Sequence, residues 1–551
     1  MSLLWPEDKK EYVKIDESVF TDLELEKIVS EISKSPYEIK LLKEFFTILP
    51  LDEKVIKYRQ DILDDFLGSE KLTLEFERIV TDFESINAKY IYKNENSFYE
   101  FVDKVCELES FTKIIKSLKK IFSENTVGSE GLKRLKSKIE EISLTDEFKN
   151  LEAEIFNIAD KMRGVKSIAI GINLDNKMHP VEAALIAVNK EKYIDPSQLF
   201  LGKLFSNKSE KPLVPITKLH APPLKEGYGG VKLDPDIYGY AVEPILLPLF
   251  NDLHQITEKI YSKLNKQLKN YKIDSTFLKK LYPELLIYLR VVDFIKKYRN
   301  AGLTLTKPEI MNKNEKVIEV KDSYNMNLAI NMYYKKNLDE LVFNDILLNS
   351  IEGIIILTGP NQGGKTVYTQ SIGITQIFFQ LGLFVPGGKA KLSPVDGIFT
   401  HFQVEENINR GTGRFGDEAI RIREIFETAS ENSLILMNEP FSSTNPSESI
   451  YLLKEVLKAF AILGTRVVVA THFHDIAERI EDIRGRTIAV SYIATVNKED
   501  ENFHKRLYKV IKSKPEGISY AIELAKKYGL NFEELKNIIN RKEGKSNGIK
   551  I

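Results

Sequence analysis

Apolar residues recur at helical spacing, with few breakers, from about residue 20 to 152. Leu23, Leu25, Ile28, Val29 and Ile32 are followed by Leu41, Leu42, Phe45 and Phe46, and Lys and Glu fill the positions between. That period places one apolar stripe on each helix and predicts a helical region. Pro50 followed by Leu51-Asp-Glu-Lys-Val-Ile-Lys-Tyr-Arg-Gln60 marks the start of a further helix within it. Between about 165 and 190 the period changes to alternation. Val165 to Leu174 and Val181 to Val188, separated by Asp175 to Pro180, read as a hairpin with an open loop. Residues 202–236 gather Pro212, Pro215, Pro222, Pro223, Gly227, Gly229 and Gly230 and read as a linker; helical periodicity returns from about 240 to 299.

The last third of the chain reads differently. Short apolar runs at Ile354–Leu357, Leu434–Met437 and Arg466–Ala470 alternate with helix-compatible segments such as Ile372 to Leu383. This is the pattern of buried parallel strands joined by helices, with ligands expected at the strand ends. The first run empties into Gly359-Pro360-Asn361-Gln362-Gly363-Gly364-Lys365-Thr366, and a helix is expected from Val367. Glycines there let successive backbone N–H groups turn toward a phosphate beside the positive end of the next helix. Lys365 is placed to neutralise β- and γ-phosphates and the Thr366 hydroxyl to ligate Mg²⁺. The expected cofactors are therefore ATP and Mg²⁺. The second run ends in Asn438-Glu439, where Asn438 offers an amide oxygen to a metal-bound water without a carboxylate's charge, and Glu439 is the candidate general base. The third ends in Thr471-His472. His472 is either a structural hydrogen-bonding residue or, from its place at the strand end, a sensor of the γ-phosphate or the attacking water.

Composition narrows the class. At 551 residues, 29% charged and 43% hydrophobic, the chain has the profile of a globular protein with about three to four domains. Its 79 basic and 80 acidic side chains nearly cancel, so net charge neither supports nor excludes a nucleic-acid partner. Runs at Lys113–Lys120, Lys133–Lys138 and Lys263–Lys272 offer local positive charge, although solvated helix faces are the commoner explanation of such runs. The single Cys106 excludes an intramolecular disulfide framework and fits a reducing compartment. The N-terminus carries no signal-like apolar stretch and no run is long enough to span a bilayer, so a cytoplasmic location without a membrane partner is expected.

Together these motifs resemble the ATPase domain of the MutS family of DNA mismatch-repair proteins, within the ABC-type class. The resemblance runs from Thr358 to Thr366 through Phe384-Val-Pro386, Pro394-Val-Asp396-Gly-Ile-Phe399-Thr400, Leu436-Met-Asn-Glu439 and Ala470-Thr-His472. It continues through Tyr508-Lys-Val510, Lys514-Pro515, Gly517-Ile-Ser-Tyr520 and Ile522 to Lys526, which are similar to the family's C-terminal helical dimerisation element. Upstream, Leu49-Pro-Leu-Asp52 with Val55 to Gln60 is similar to the family's core, lever and clamp region. The resemblance implies a multidomain fold, an α-helical region followed by an α/β P-loop ATPase domain and a C-terminal helical element. Residues 1–160 are expected as helical core, 161–236 as hairpin and loop of a reduced clamp, and 237–320 as long helices. Residues 321–505 are expected as the ATPase domain and 506–551 as the dimerisation element.

The implied function is an ATP-dependent, dimeric DNA clamp acting on duplex, mismatched or branched DNA in repair or recombination control, with possible repair partners. Its grip would fall mainly on phosphates and weaken steeply with salt. Two alternatives stand beside it: a nucleotide-gated clamp on a ribosomal or protein partner, and a switch that binds ATP but hydrolyses it slowly. The chain departs from the family pattern in three places. Gly413 stands where the family's signature loop, here Arg410-Gly411-Thr412-Gly413-Arg414-Phe415, holds a serine that reaches the partner's γ-phosphate. Asn438 replaces the acidic residue. The chain opens on core-like helices, so no mismatch-reading domain is expected ahead of them, and Phe98-Tyr99-Glu100 echoes the family's DNA wedge only inside that helical core. Phe343 and Leu341 are both compatible with an adenine-stacking role by spacing.

Arg414 beside Gly413 is placed to act as an arginine finger. Arg414→Ala is expected to lower ATP turnover more than ATP binding, measured by single-turnover hydrolysis against nucleotide titration. Unaltered turnover would remove it from the site.

Overall fold

The computed structural model describes residues 1–6, 11–87, 97–192 (apart from 165, 175, 178 and 179), 271, 275–360, 363–402, 413–496, 506–513, 530 and 532–546. The linker at 202–236, the lysines at 263–270, and Asn361, Gln362, Arg410, Gly411 and Thr412 lie outside the described residues. The chain forms two compact units. One comprises Met1–Ser2 with Ser69–Leu286, the other Leu3–Gly68 with Ile287–Ile551.

In chain order, the second unit opens with β1 (Tyr12–Lys14), α1 (Glu17–Asp22), α2 (Leu25–Ile32), α3 (Pro36–Thr47), β2 (Ile48–Pro50) and α4 (Glu53–Gly68). The first unit is built from α5 (Glu70–Asn87), α6 (Ser97–Glu124), α7 (Glu130–Leu144), α8 (Asp146–Met162), the antiparallel hairpin β3 (Ser167–Leu174) and β4 (Pro180–Asn189), and the first half of α9 (Thr276–Asn300). Its core is the stripe predicted by periodicity: Leu72, Phe76, Phe83, Leu108, Phe111, Leu118, Leu135 and Leu151 are all buried. The lysine runs on its surface are solvated helix faces. Lys113 pairs with Asp82 at 2.6 Å, Lys116 with Glu152 at 2.9 Å and Lys138 with Glu141 at 3.0 Å. Phe98-Tyr99-Glu100 falls within α6.

The second unit continues with β5 (Leu305–Thr306), β6 (Glu309–Ile310), β7 (Ile318–Ser323), α10 (Met326–Lys335), β8 (Asn344–Leu348), β9 (Ile354–Thr358) and α11 (Lys365–Gln380). Then come β10 (Val385–Pro386), β11 (Lys389–Leu392), β12 (Ile398–His401), α12 (Gly413–Thr428), β13 (Leu434–Asn438), α13 (Pro446–Leu463), β14 (Arg466–Ala470), α14 (His474–Glu478), β15 (Ala489–Val496), β16 (Arg506–Lys512) and α15 (Phe532–Ser546). Six strands form the main sheet in the order β12-β13-β14-β9-β15-β16; the first five are parallel and β16 is antiparallel on the edge. Residues 506–512, expected inside a helical element, are therefore an edge strand. Their run Arg-Leu-Tyr-Lys-Val-Ile-Lys holds the aromatic Tyr508 and the β-branched Val510 and Ile511, and β15 supplies a ladder that outweighs any helical preference.

The strands of this sheet are apolar on both sides because both sides are covered. Ile354, Ile356, Ile435, Met437, Val467 and Val469 face Leu453, Leu457 and Phe460 of α13 and Ile476 of α14. On the other side α11 crosses so closely that a Cβ on Gly373 would come within 2.7 Å of Leu436 and 2.8 Å of Leu23. Each such buried Leu or Ile contributes about 1.5–3 kcal/mol. The N-terminal helices are fastened to α11 by polar groups as well. Gln370 Nε2 donates to the Asp22 carbonyl (2.9 Å) and Gln380 Nε2 to the Pro50 carbonyl (2.9 Å). Arg59, packed over the Trp5 and Phe45 rings, donates to the Leu4 carbonyl and reaches the Leu381 carbonyl at 3.4 Å.

α3 starts on Pro36 behind an N-cap in which Ser35 Oγ accepts from Glu38 N. Glu38 in turn meets Arg290 of α9, whose Nε donates to both carboxylate oxygens at 3.0 Å; the two side chains are 7% and 12% exposed. Breaking a pair this buried leaves a desolvated charge, so Arg290→Ala is expected to cost about 3 kcal/mol of stability in urea unfolding. A loss below about 1 kcal/mol would show that the pair is no more than a solvated surface contact.

Candidate functional site

The register of three parallel strands brings their ends to one level. Leu357 pairs with Ala470, and Ala470 with Asn438, so the residues that follow each strand emerge side by side. Thr471 N donates to the Leu357 carbonyl (3.0 Å) and Glu439 N to the Ala470 carbonyl (2.8 Å), extending the alignment one residue beyond the ladder. In doing so Glu439 is held at φ 53°, in the left-handed region that a side chain with a Cβ disfavours.

The glycine loop closes over the end of β9. Gly359 and Gly364 have φ of 139° and 90°, and a Cβ on Gly359 would meet Ala494 at 2.9 Å. Gly363 N donates to the Pro360 carbonyl (3.0 Å), and α11 begins at Lys365. Lys365 is 5% exposed, its ammonium donating to the carbonyls of Gly359 (3.0 Å) and Pro360 (3.2 Å). Burial pushes the Lys365 pKa below its ordinary value, and the nearby Glu439 carboxylate partly opposes that shift. Glu439 Oε1 stands 4.0 Å from Lys365 Nζ, and its other oxygen 3.8 Å from His472 Nδ1. The Thr366 hydroxyl donates to Asn438 Oδ1 at 3.0 Å.

Lys365, Thr366, Asn438, Glu439 and His472, predicted separately, thus converge at one end of the sheet. The Thr366 hydroxyl and Asn438 amide oxygen form a hard-oxygen pair at the helix start. With water and phosphate oxygens they suit Mg²⁺, an ion that keeps several waters and needs few protein ligands. His474, two residues on, has its pKa lowered, chiefly by burial and next by Lys365. Gly413 opens α12 at φ 69°; the Arg414 side chain lies outside the described residues.

A cavity of about 1050 Å³ extends from the loop along α11. Glu439 and Gly363 to Val367 line its phosphate end, while Tyr324, Leu328, Met332, Val342 and Tyr508 line the remainder. Phe343 and Leu341 do not line it: Phe343 packs edge-on against Tyr324 with centroids 5.7 Å apart, and Leu341 is buried. Sequence reasoning missed Tyr508 as a cavity residue. Its one visible signal was the Tyr508-Lys-Val510 run, but α10 and β16 reach the cavity only through the tertiary fold.

A parallel sheet whose central strand feeds a glycine loop and Lys-Thr helix start, with an acidic residue and a histidine at neighbouring strand ends, defines an ABC-type P-loop ATPase domain. Comparison with known proteins agrees: the model of MutS domain V matches residues 355–547, and that of the MutS2 N-terminal domain matches residues 51–301. The chain belongs to the MutS family. It is 31% identical over 209 residues to a DNA mismatch repair protein MutS of Clostridium perfringens, covering 37% of this chain and 22% of that protein. It is 32% identical over 218 residues to the protein of that name from Leptospira interrogans (38% and 25%), and 28% identical over 296 residues to that from Fervidobacterium nodosum (52% and 33%). The chain therefore spans about a fifth to a third of these relatives' length. Among the described residues no helix is long and apolar enough to cross a membrane.

Two substitutions test the assembled site. Glu439→Ala is expected to lower single-turnover hydrolysis by about 10²–10⁴-fold while ATP still binds. Asn438→Asp is expected to lower the Mg²⁺ concentration required for half-maximal hydrolysis. Normal hydrolysis by the first, or an unmoved Mg²⁺ dependence in the second, would contradict the roles assigned.

Proposed function

We propose that this protein is an ATP-dependent DNA-binding clamp, acting as a homodimer in the cytoplasm and coupling ATP binding and hydrolysis to its hold on duplex, mismatched or branched DNA in repair or recombination control. The convergence of Lys365, Thr366, Asn438, Glu439 and His472 carries the ATPase part of this reading. Triphosphate oxygens take the place of the loop carbonyls around Lys365, and the Gly359–Thr366 backbone together with the α11 N-terminus holds the phosphates. Bound Mg²⁺ would offset charge on the phosphates at Thr366 and Asn438. Glu439 takes a proton from the attacking water, and His472, 3.8 Å from that carboxylate, orients it. Tyr508, beside Gly364 where the glycine loop borders the rest of the cavity, stacks on the nucleobase.

The DNA part is supported by the family and by the relatives named DNA mismatch repair protein MutS. Dimerisation is supported by α15, which exposes Phe532, Leu535, Ile538 and Ile539, and by the exposed Leu530 two residues ahead of it. In the dimer, the α12 start at Gly413 and Arg414 would complete the partner's site. Two observations each favour a different alternative. Asn438 brings no carboxylate charge to the metal, which favours a slow switch, and the ion pairs of Lys113, Lys116 and Lys138 favour a partner other than DNA.

Steady-state ATP hydrolysis without DNA and with homoduplex, single-mismatch duplex and a four-way junction, each at low and moderate salt, separates these readings. Stimulation that falls with salt is expected for the clamp. Hydrolysis indifferent to every DNA would move the assignment to a non-DNA partner.

A further inference from the structure

β16 does not run straight along β15. Val510 pairs with Ala494 and Arg506 with Val496, so residues 507–509 bulge opposite Thr495. Tyr508 sits within the bulge at φ 53°, left-handed backbone that a bulky aromatic residue enters only when its surroundings hold it there. The bulge turns Tyr508 toward the glycine loop: its Cδ1 is 3.4 Å from where a Cβ on Gly364 would stand.

One side chain spans the bulge from outside the sheet. Asn344, the first residue of β8 in the neighbouring four-stranded sheet, donates from Nδ2 to the Tyr508 carbonyl (3.0 Å) and accepts at Oδ1 from Val510 N (2.8 Å). The primary amide thus supplies a donor and an acceptor in the pattern of a neighbouring strand's peptide group. The two bonds fix which end of the amide is oxygen, because only that orientation satisfies both. Asn344 itself is anchored: it pairs with Ser323 of β7, the next residue's carbonyl accepts from Tyr368 Oη of α11 (2.9 Å), and Lys509 Nζ reaches the Phe343 carbonyl. Asn344 and Tyr508 both line the cavity.

We infer that Asn344 is the positioning residue for nucleobase recognition: its amide clamps the β16 bulge and so fixes the Tyr508 ring beside Gly364, where the glycine loop borders the rest of the cavity. This rests on the nucleotide reading of that cavity. Asn344 acts through Tyr508, so its loss should matter for ligands that carry a base and not for phosphates alone. Asparagine is required because both an N–H and a C=O must be met from one short side chain; aspartate keeps the acceptor for Val510 and loses the donor for Tyr508.

The test is calorimetric titration of the full chain with ATP and, separately, with inorganic tripolyphosphate, both with Mg²⁺. Asn344→Ala is expected to weaken ATP about tenfold and leave tripolyphosphate within about twofold. Asn344→Asp, the milder change should the alanine variant fold poorly, is expected to show the same split. In a Tyr508→Ala background, Asn344→Ala should cause no further loss of ATP affinity. Equal weakening of both ligands, additive losses in the double variant, or unchanged ATP binding would each overturn the positioning role. Wild-type protein that binds neither ligand would overturn the nucleotide reading itself, and this proposal with it.

Discussion

The site depends on one constraint: β9, β13 and β14 must lie flush. Three strands without an exposed face can slip relative to one another only by moving apolar side chains out of both covering layers, so burial locks their register. With Leu357, Ala470 and Asn438 held level, the glycine loop, Glu439 and His472 are neighbours although more than a hundred residues separate the first from the last. The left-handed backbone at Glu439 is a local consequence, since its N–H completes the ladder with Ala470 while its side chain turns to Lys365.

α11 carries that order away from the site. Its first residue meets the phosphate loop, and its length is gripped by the N-terminal helices through Leu23 against Gly373, Gln370 to Asp22, Gln380 to Pro50 and Arg59 to Leu381. The last three are polar bonds to backbone carbonyls, two of them buried, the kind that costs most to leave half-made. The segment from Leu3 to Gly68 is for this reason part of the ATPase-bearing unit. The α9 helix contributes to it from Ile287 onward, tied down by the Arg290–Glu38 pair.

Charge at the site is arranged with little surplus. Lys365 is buried, and the carboxylate that faces it is shared with His472, while Thr366 and Asn438 offer only neutral oxygens. A site of this kind leans on the ligand's own phosphates for negative charge. On the surface, Lys113, Lys116 and Lys138 of the runs that looked basic in sequence are matched by carboxylates a turn away or on a neighbouring helix.

Much of this was legible in the sequence because it is local. The glycine loop, the three apolar strands, the hairpin at 167–189 and the helical stripes each follow from residues within one short window, where the side-chain period and the demands of glycine backbone decide the outcome. Glu439 and His472 were legible because a strand end is a position that sequence can mark. Asn344, Tyr324 and Tyr508 were not, since each gains its place from a strand or helix distant in the chain, and Tyr508 from a bulge that exists only once β15 and Asn344 are both present. The sequence by itself determined the elements and the chemistry of the phosphate end. Tertiary structure decided which aromatic rings line the cavity and which unit Leu3–Gly68 joins, because those outcomes turn on burial and hydrogen bonds between segments that no local pattern connects.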